Sequence, residues 1–203
     1  MSSEDSRSPE GKILTREMRA TYASLWGDEF FADCTVVVED KEVKVHKLVL
    51  LTFGPVFKSM LRTGLRETST CRIEISDYPY DVVVNMLEYM YTGVFTQKMD
   101  EIALDLMKIA NKYFQTALIS KCGKSLAQKL SLDNALDMMV VANTYNNEML
   151  MVPSLKFIRQ NYESIRTGEK WNQFKAENVD LVEKIADFLF SPTFSPKKKP
   201  KLG

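Results

Sequence analysis

A single histidine, His46, occurs among the 203 residues, and that scarcity excludes most catalytic arrangements. Any Ser-His-Asp or Cys-His site would have to use it. It lies in Val43-Lys-Val-His-Lys-Leu-Val-Leu, after an alternating run and before an apolar helix start, and is read as a structural, hydrogen-bonded histidine. Cysteines are few and odd in number: Cys34, Cys71 and Cys122, spaced 37 and 51 residues apart. A zinc site needs about four ligands, usually in close pairs, and these residues have no such spacing. With no signal peptide and no Asn-x-Ser/Thr sequon, the odd count predicts a reducing, intracellular compartment. Glycine (8) and proline (7) are too scarce for collagen-like or low-complexity architectures. No Gly-x-Gly-x-x-Gly occurs. Gly123-Lys124-Ser125 imitates the end of a phosphate-binding loop, but Leu118 stands where that loop's first glycine must be and the preceding residues read as helix. The longest apolar run, Met138–Ala142, falls far short of the roughly 20 residues a membrane-spanning helix needs. No charge of one sign dominates, since Lys+Arg and Asp+Glu are 27 each. Neither direct nucleic-acid binding nor an anionic membrane is predicted.

The charge is unevenly placed. Lysines 197, 198, 199 and 201 leave residues 1–190 with 23 basic and 27 acidic side chains, a net charge of −4. Carboxylate pairs such as Glu39/Asp40 and Asp77/Asp81 stand in turn or helix-start contexts, where solvation and capping account for them. No cofactor, metal site or catalytic constellation is predicted, and the work of the chain is expected of its surfaces.

Residues 1–12 mix Ser, Glu, Asp, Arg and Pro and read as a disordered leader. A helix is predicted over Thr15–Trp26, with Leu14, Met18, Tyr22 and Leu25 on one stripe. Asp33–Glu39 and Lys41–His46 read as strands joined in a hairpin at Glu39-Asp40. Lys47–Thr52 and Pro55–Arg62 read as short helices split at Gly54-Pro55. A polar loop, 64–70, precedes a third strand over Cys71–Ile75. The rest reads as helical. Asp77/Pro79 opens a helix with stripe Val83, Met86, Leu87, Met90 and Tyr91, stopped by Gly93. Asp100 is expected to cap the next, through Ile102, Leu106, Ile109, Ala110 and Tyr113. Leu118, Cys122, Leu126 and Leu130 follow at spacing four, and Ser131 is expected to cap a helix running from Leu132. Asn147–Tyr162, with Pro153 in its first turn or at a kink, and Asp180–Phe190 complete the set. The methionines sit mostly on these stripes and read as core filling, and Trp171 as a packing anchor. A small early sheet followed by helices is the α+β pattern.

The ordered series Asp33-Cys34, Val45-His46-Lys47, Leu50, Pro55-Val56-Phe57, Met60, Arg72-Ile-Glu-Ile75, Glu88-Tyr-Met-Tyr-Thr-Gly93 and Asn111-Lys-Tyr113 resembles a BTB/POZ domain. Leu130-Ser131, Asn134-Ala135, Ala142-Asn143, Lys170-Trp171 and Leu181-Val182 resemble the helices that follow it in speckle-type POZ proteins, the 3-box and a shortened BACK region. The resemblance covers about 14 to 190. It implies a BTB/POZ domain over 13–125, a helical 3-box/BACK region over 126–190 and a basic tail over 191–203. Speckle-type POZ proteins also carry an N-terminal MATH domain that captures substrates. The short lead before the first helix has no room for one, so either the chain lacks it or it is cut from a longer protein. Where the family places an aromatic at a higher-order contact in the last helix, this sequence has Ala186, so only dimerisation is carried over.

The resemblance implies three surfaces. Met18, Tyr22 and Leu25, with a contribution at Val49, would pack across a two-fold axis, giving a homodimer or a heterodimer with another BTB protein. Leu65-Arg66-Glu67 matches the hydrophobic-x-Glu motif of members that bind the cullin-3 scaffold of ubiquitin ligases, with further contact expected at Met60, near Tyr113 and along the paired helices at 131–162. Lys197, Lys198, Lys199 and Lys201, flanked by prolines, match a nuclear import signal, so a nuclear and possibly also cytoplasmic protein is expected. The implied function is a dimeric, non-enzymatic adaptor that binds cullin-3 and helps recruit protein substrates for ubiquitination. The alternative is a nuclear BTB scaffold for transcriptional regulators with no ligase role.

Overall fold

The computed structural model describes residues 17, 19–62 and 71–190, with the side chain of Arg62 outside that description. The chain divides into two units, Met1–Ser125 and Leu126–Gly203, each with its own core.

In the first unit a short helix, α1 (19–24), ends in tight turns at Leu25 and Trp26, whose N–H groups donate to Tyr22 and Ala23 at 3.2 and 3.1 Å. Three strands follow: β1 (Cys34–Val38), β2 (Lys41–Val45) and β3 (Arg72–Glu74), in the order β2-β1-β3. β1 alternates as a half-buried strand should, Cys34, Val36 and Val38 facing inward. The hairpin to β2 turns on Glu39 and Asp40, both at positive φ (48° and 61°), as a two-residue loop matching the strand twist requires. β3 runs parallel to β1, with Val36 opposite Ile73.

Between β2 and β3 lie α2 (Lys47–Thr52) and α3 (Pro55–Arg62). Gly54 separates them at φ 147°, and a Cβ there would stand 2.9 Å from the Tyr113 carbonyl oxygen, so only glycine fits. Gln115 fastens this corner by donating to the Phe53 carbonyl and, at 3.3 Å, to that of Tyr113. α4 (Tyr80–Thr92) buries the predicted stripe Val83, Met86, Leu87, Met90 and Tyr91, and stops at Gly93 (φ 64°), whose N–H returns to Tyr89. Thr96 caps the next turn, α5 (Gln97–Glu101), by accepting from the Met99 N–H; Asp100 lies within that turn and accepts from the Ser125 hydroxyl, and the helix it was expected to cap starts after Ile102 without a side-chain cap. α6 (Ala103–Lys112), which packs on α4, and α7 (Thr116–Gln128) follow. Met86, Met90 and Met107 are within the core, as their helical spacing predicts, and Met99 of α5 is buried with them.

The second unit starts with α8 (Ala135–Thr144), packed on α9 (Glu148–Gln160). Ser131 does not cap α8. Its N–H instead donates to the Asn134 side chain at 2.8 Å, the helix begins after Asn134, and Leu132 is left exposed. Asn147 caps α9 through its side chain, accepting from the Leu150 N–H. That start places Pro153 beyond the first turn, where the ring removes the N–H that would have bonded the Met149 carbonyl. Short α10 (Tyr162–Arg166), α11 (Glu169–Glu177) and α12 (Val179–Phe190) complete the unit. Trp171 stacks on Phe174 and meets Tyr162 edge-on, each with ring centroids 5.9 Å apart, which is the packing role expected of it. The fold is α+β: a three-stranded sheet with helices, followed by a helical extension.

Candidate interaction surfaces

Tyr22 on α1 and Leu25 in the turn after it are half-buried, and Met18 lies outside the described residues. Val49 does not face outward. It is 1% exposed, while its neighbour Leu48 is 64% exposed. The expected contribution of Val49 to a two-fold contact is corrected accordingly, since a side chain already enclosed by its own protomer has no surface left to give. Tyr22 also lines an open cavity of about 620 Å³ with Arg19, Phe53, Tyr89 and Lys121.

Beside α1, Trp26 packs on Tyr91, ring centroids 5.2 Å apart. The Tyr91 hydroxyl accepts from the His46 backbone N–H at 2.7 Å and lies 3.1 Å from His46 Nδ1. His46 is thus a buried histidine tied into the fold, its Nε2 without a partner among the described residues. Phe30 and Phe31, 83% and 69% exposed, meet edge to face at 4.7 Å on the segment leading into β1. Nothing in the helical or strand periodicity of the sequence marks them, because they sit in neither element.

The second expected surface joins α3 to β3. Met60 is half-buried on α3, and Leu65 and Glu67 lie outside the described residues. Tyr113, expected to contribute there, is instead core. It is 1% exposed and stacks on Phe57 with centroids 4.7 Å apart and planes 20° apart, and burial pushes its hydroxyl pKa upward. The residue presented at that turn is Phe114, 64% exposed at φ 56°. In the second unit Leu132, Met149 and Val152 are exposed apolar side chains within 131–162. Lys197, Lys198, Lys199 and Lys201 lie outside the described residues.

The three cysteines are free thiols. Burial pushes the pKa of Cys34 up to about 11 and that of Cys122 up to about 12. Among the described residues no group of three His, Cys, Asp or Glu is placed to hold a metal ion, and no helix is long and apolar enough to cross a membrane.

A small sheet, a helical core and exposed apolar side chains at the turns between elements make a protein-interaction module. The BTB/POZ domain family model matches residues 22–130, and the chain belongs to that family. It is 30% identical over 176 residues to BTB and MATH domain-containing protein 42 of Caenorhabditis elegans, covering 86% of this chain and 43% of that protein. The chain therefore spans less than half the length of this curated relative. Among solved structures, the BTB domain of zebrafish PATZ1 is similar at a TM-score of 0.46 and 20% identity, covering 58% of this chain and 94% of that one. The BTB domain of human Gigaxonin is similar at a TM-score of 0.45 and 23% identity, covering 60% and 96%.

Proposed function

We propose that this protein is a speckle-type POZ-like adaptor that dimerises through α1 and binds the cullin-3 scaffold, helping to bring protein substrates to ubiquitin transfer. The observation that carries the reading is the position of Leu65-Arg66-Glu67: it falls in the connection from α3 to β3 of a BTB/POZ domain. There an apolar side chain can seat in a pocket while a carboxylate orients the partner helix, the division of labour of a small hot spot. Phe114, exposed where Tyr113 is not, takes the place of Tyr113 in the proposed contact, and Leu48 that of Val49 in the dimer. In the second unit, exposed Met149 and Val152 on α9 are proposed as a separate contact with the scaffold.

In calorimetric titration with the cullin-3 N-terminal region, Leu65→Asp with Glu67→Lys is expected to lower affinity at least a hundredfold, two hot-spot losses of about 2 kcal/mol each more than sufficing for it. Affinity unchanged in the double variant would remove the assignment.

A second reading, a nuclear scaffold for transcriptional regulators, is favoured by the tail Ser195-Pro-Lys-Lys-Lys-Pro-Lys. Four cations in five residues suit an import receptor. A fluorescent fusion is expected to lose nuclear enrichment when 196–203 are deleted; enrichment that survives the deletion counts against import by this tail. Absence of any cullin binding, with nuclear accumulation intact, would favour the scaffold reading over the adaptor.

A further inference from the structure

We propose that Cys34 and Cys71 are an oxidant-responsive thiol pair, in which a hydroperoxide reacts at Cys71 and Cys34 then closes a disulfide between β1 and the start of β3. The strand register carries it. β1 and β3 are parallel with Thr35 opposite Arg72, and the Thr35 N–H donates to the Cys71 carbonyl at 2.7 Å. Cys71 lies just outside β3 at φ 48°, and that bond holds it against the residue after Cys34, close enough for the two thiols to influence each other electrostatically. Neighbouring strands are about 4.8 Å apart, within the Cα separation of about 4.4–6.8 Å that a disulfide spans. This pairing is invisible in the sequence, where the two lie 37 residues apart.

The surroundings divide the roles. The Lys47 side chain faces Cys71, and the interaction with that sulfur is the main cause of a raised Lys47 pKa. The backbone of Lys47 is fixed by its own N–H, which donates to Asp33 Oδ1 at 2.7 Å. A cation beside a partly accessible sulfur supports attack by the thiolate, and Cys71 is only half-buried. Cys34, 3% exposed, is held as a neutral thiol by burial and by Cys71 itself, so it is poorly placed to meet an oxidant in solution but well placed to meet Cys71.

In the first step the Cys71 thiolate attacks one peroxide oxygen. The O–O bond breaks, the sulfur becomes a sulfenic acid, and the leaving hydroxide takes a proton to become water. In the second step the Cys34 sulfur attacks the sulfenic sulfur. The S–O bond breaks, the S–S bond forms, and the hydroxyl leaves as water with the Cys34 proton. Two thiols and one hydrogen peroxide give one disulfide and two waters. The bond would fix the point at which residues 63–70 rejoin the sheet, a consequence independent of what those residues bind.

The test is hydrogen peroxide treatment of the full chain carrying Cys122→Ser, read by intact mass and a non-reducing peptide map. Loss of the two thiol hydrogens is expected, with one cross-linked peptide joining Cys34 and Cys71 that a thiol reductant releases. Lys47→Met is expected to slow the reaction measurably, because it removes the cation that faces the sulfur as it attacks. Cys71→Ser should leave Cys34 reduced, a measurement that stands even if Cys34→Ser fails to fold. Sulfinic acid at Cys71 with Cys34 still free, disulfides only between chains, or oxidation of Cys34 in the Cys71→Ser variant would each overturn the proposal.

Discussion

Phe57→Ala is expected to destabilise the first unit by about 3–5 kcal/mol, the range for deleting a fully enclosed aromatic from a packed core. Phe57 has no exposed surface, and one of its faces is covered by the Tyr113 ring in a stacked contact. Removing it opens a cavity, and it also deletes an aromatic pair worth about 0.5–1.5 kcal/mol beyond its buried area. The surroundings have little room to collapse, because the corner beside it is pinned by Gly54 against the Tyr113 carbonyl and by Gln115 bonded to Phe53. Against a total stability of about 5–15 kcal/mol, this is a large fraction. Phe30→Ala is the matched control. With Phe30 83% exposed, its change should stay within about 0.5 kcal/mol. Chemical denaturation of the three proteins reads both numbers. A Phe57→Ala loss below about 1 kcal/mol would mean that the Phe57–Tyr113 stack is not part of a close-packed interior.

Tyr22→Asp with Leu25→Asp is expected to convert a dimer to a monomer at tens of micromolar. A two-fold interface repeats each substitution, so two aspartates per chain put four carboxylates into one contact. Each would have to be desolvated without a partner, at a cost of several kcal/mol. Tyr22 and Leu25 are half-buried, so the same charges remain tolerable in the separate protomer, and its far-ultraviolet circular dichroism should be unchanged. Light scattering should give twice the 23.3 kDa chain mass for the unaltered protein and the chain mass for the variant. An unaltered protein that runs as a monomer would remove the dimer from the proposal.

Much of the fold could be read from residue order alone, and the failures have specific causes. The hairpin and the division between α2 and α3 were legible because Glu39-Asp40 and Gly54-Pro55 punctuate short apolar runs, and those turns leave few alternatives. The surface role of Val49 comes from the family resemblance alone, and Leu48-Val-Leu-Leu51, apolar throughout, does not say which side of α2 meets the core; Val49 and Leu50 are buried and Leu48 is exposed. Tyr113 shares a stripe with Ile109 and Ala110, and that periodicity points to the core where it lies; its surface role comes from the family resemblance alone. The Asp100 cap does not form because a separate polar turn, α5, intervenes and holds Asp100 within it, while α6 starts after Ile102 with no side-chain cap. α10 and α11 passed unread, since between polar residues only Ile165, Trp171 and Phe174 are buried and two helical turns of signal are spread over two short helices. The Cys34–Cys71 juxtaposition needed a parallel register, which no local pattern encodes.

The proposed adaptor differs from a simple binding domain in carrying two scaffolds at once, which turns the second substrate contact into an intramolecular one. The direct test is the mass, by light scattering, of the complex formed when the chain is mixed with excess cullin-3 N-terminal region. Two copies of each protein in one particle, falling to one of each with Tyr22→Asp and Leu25→Asp, is the predicted result. A one-to-one particle from the unaltered chain, or no complex at all, would contradict it.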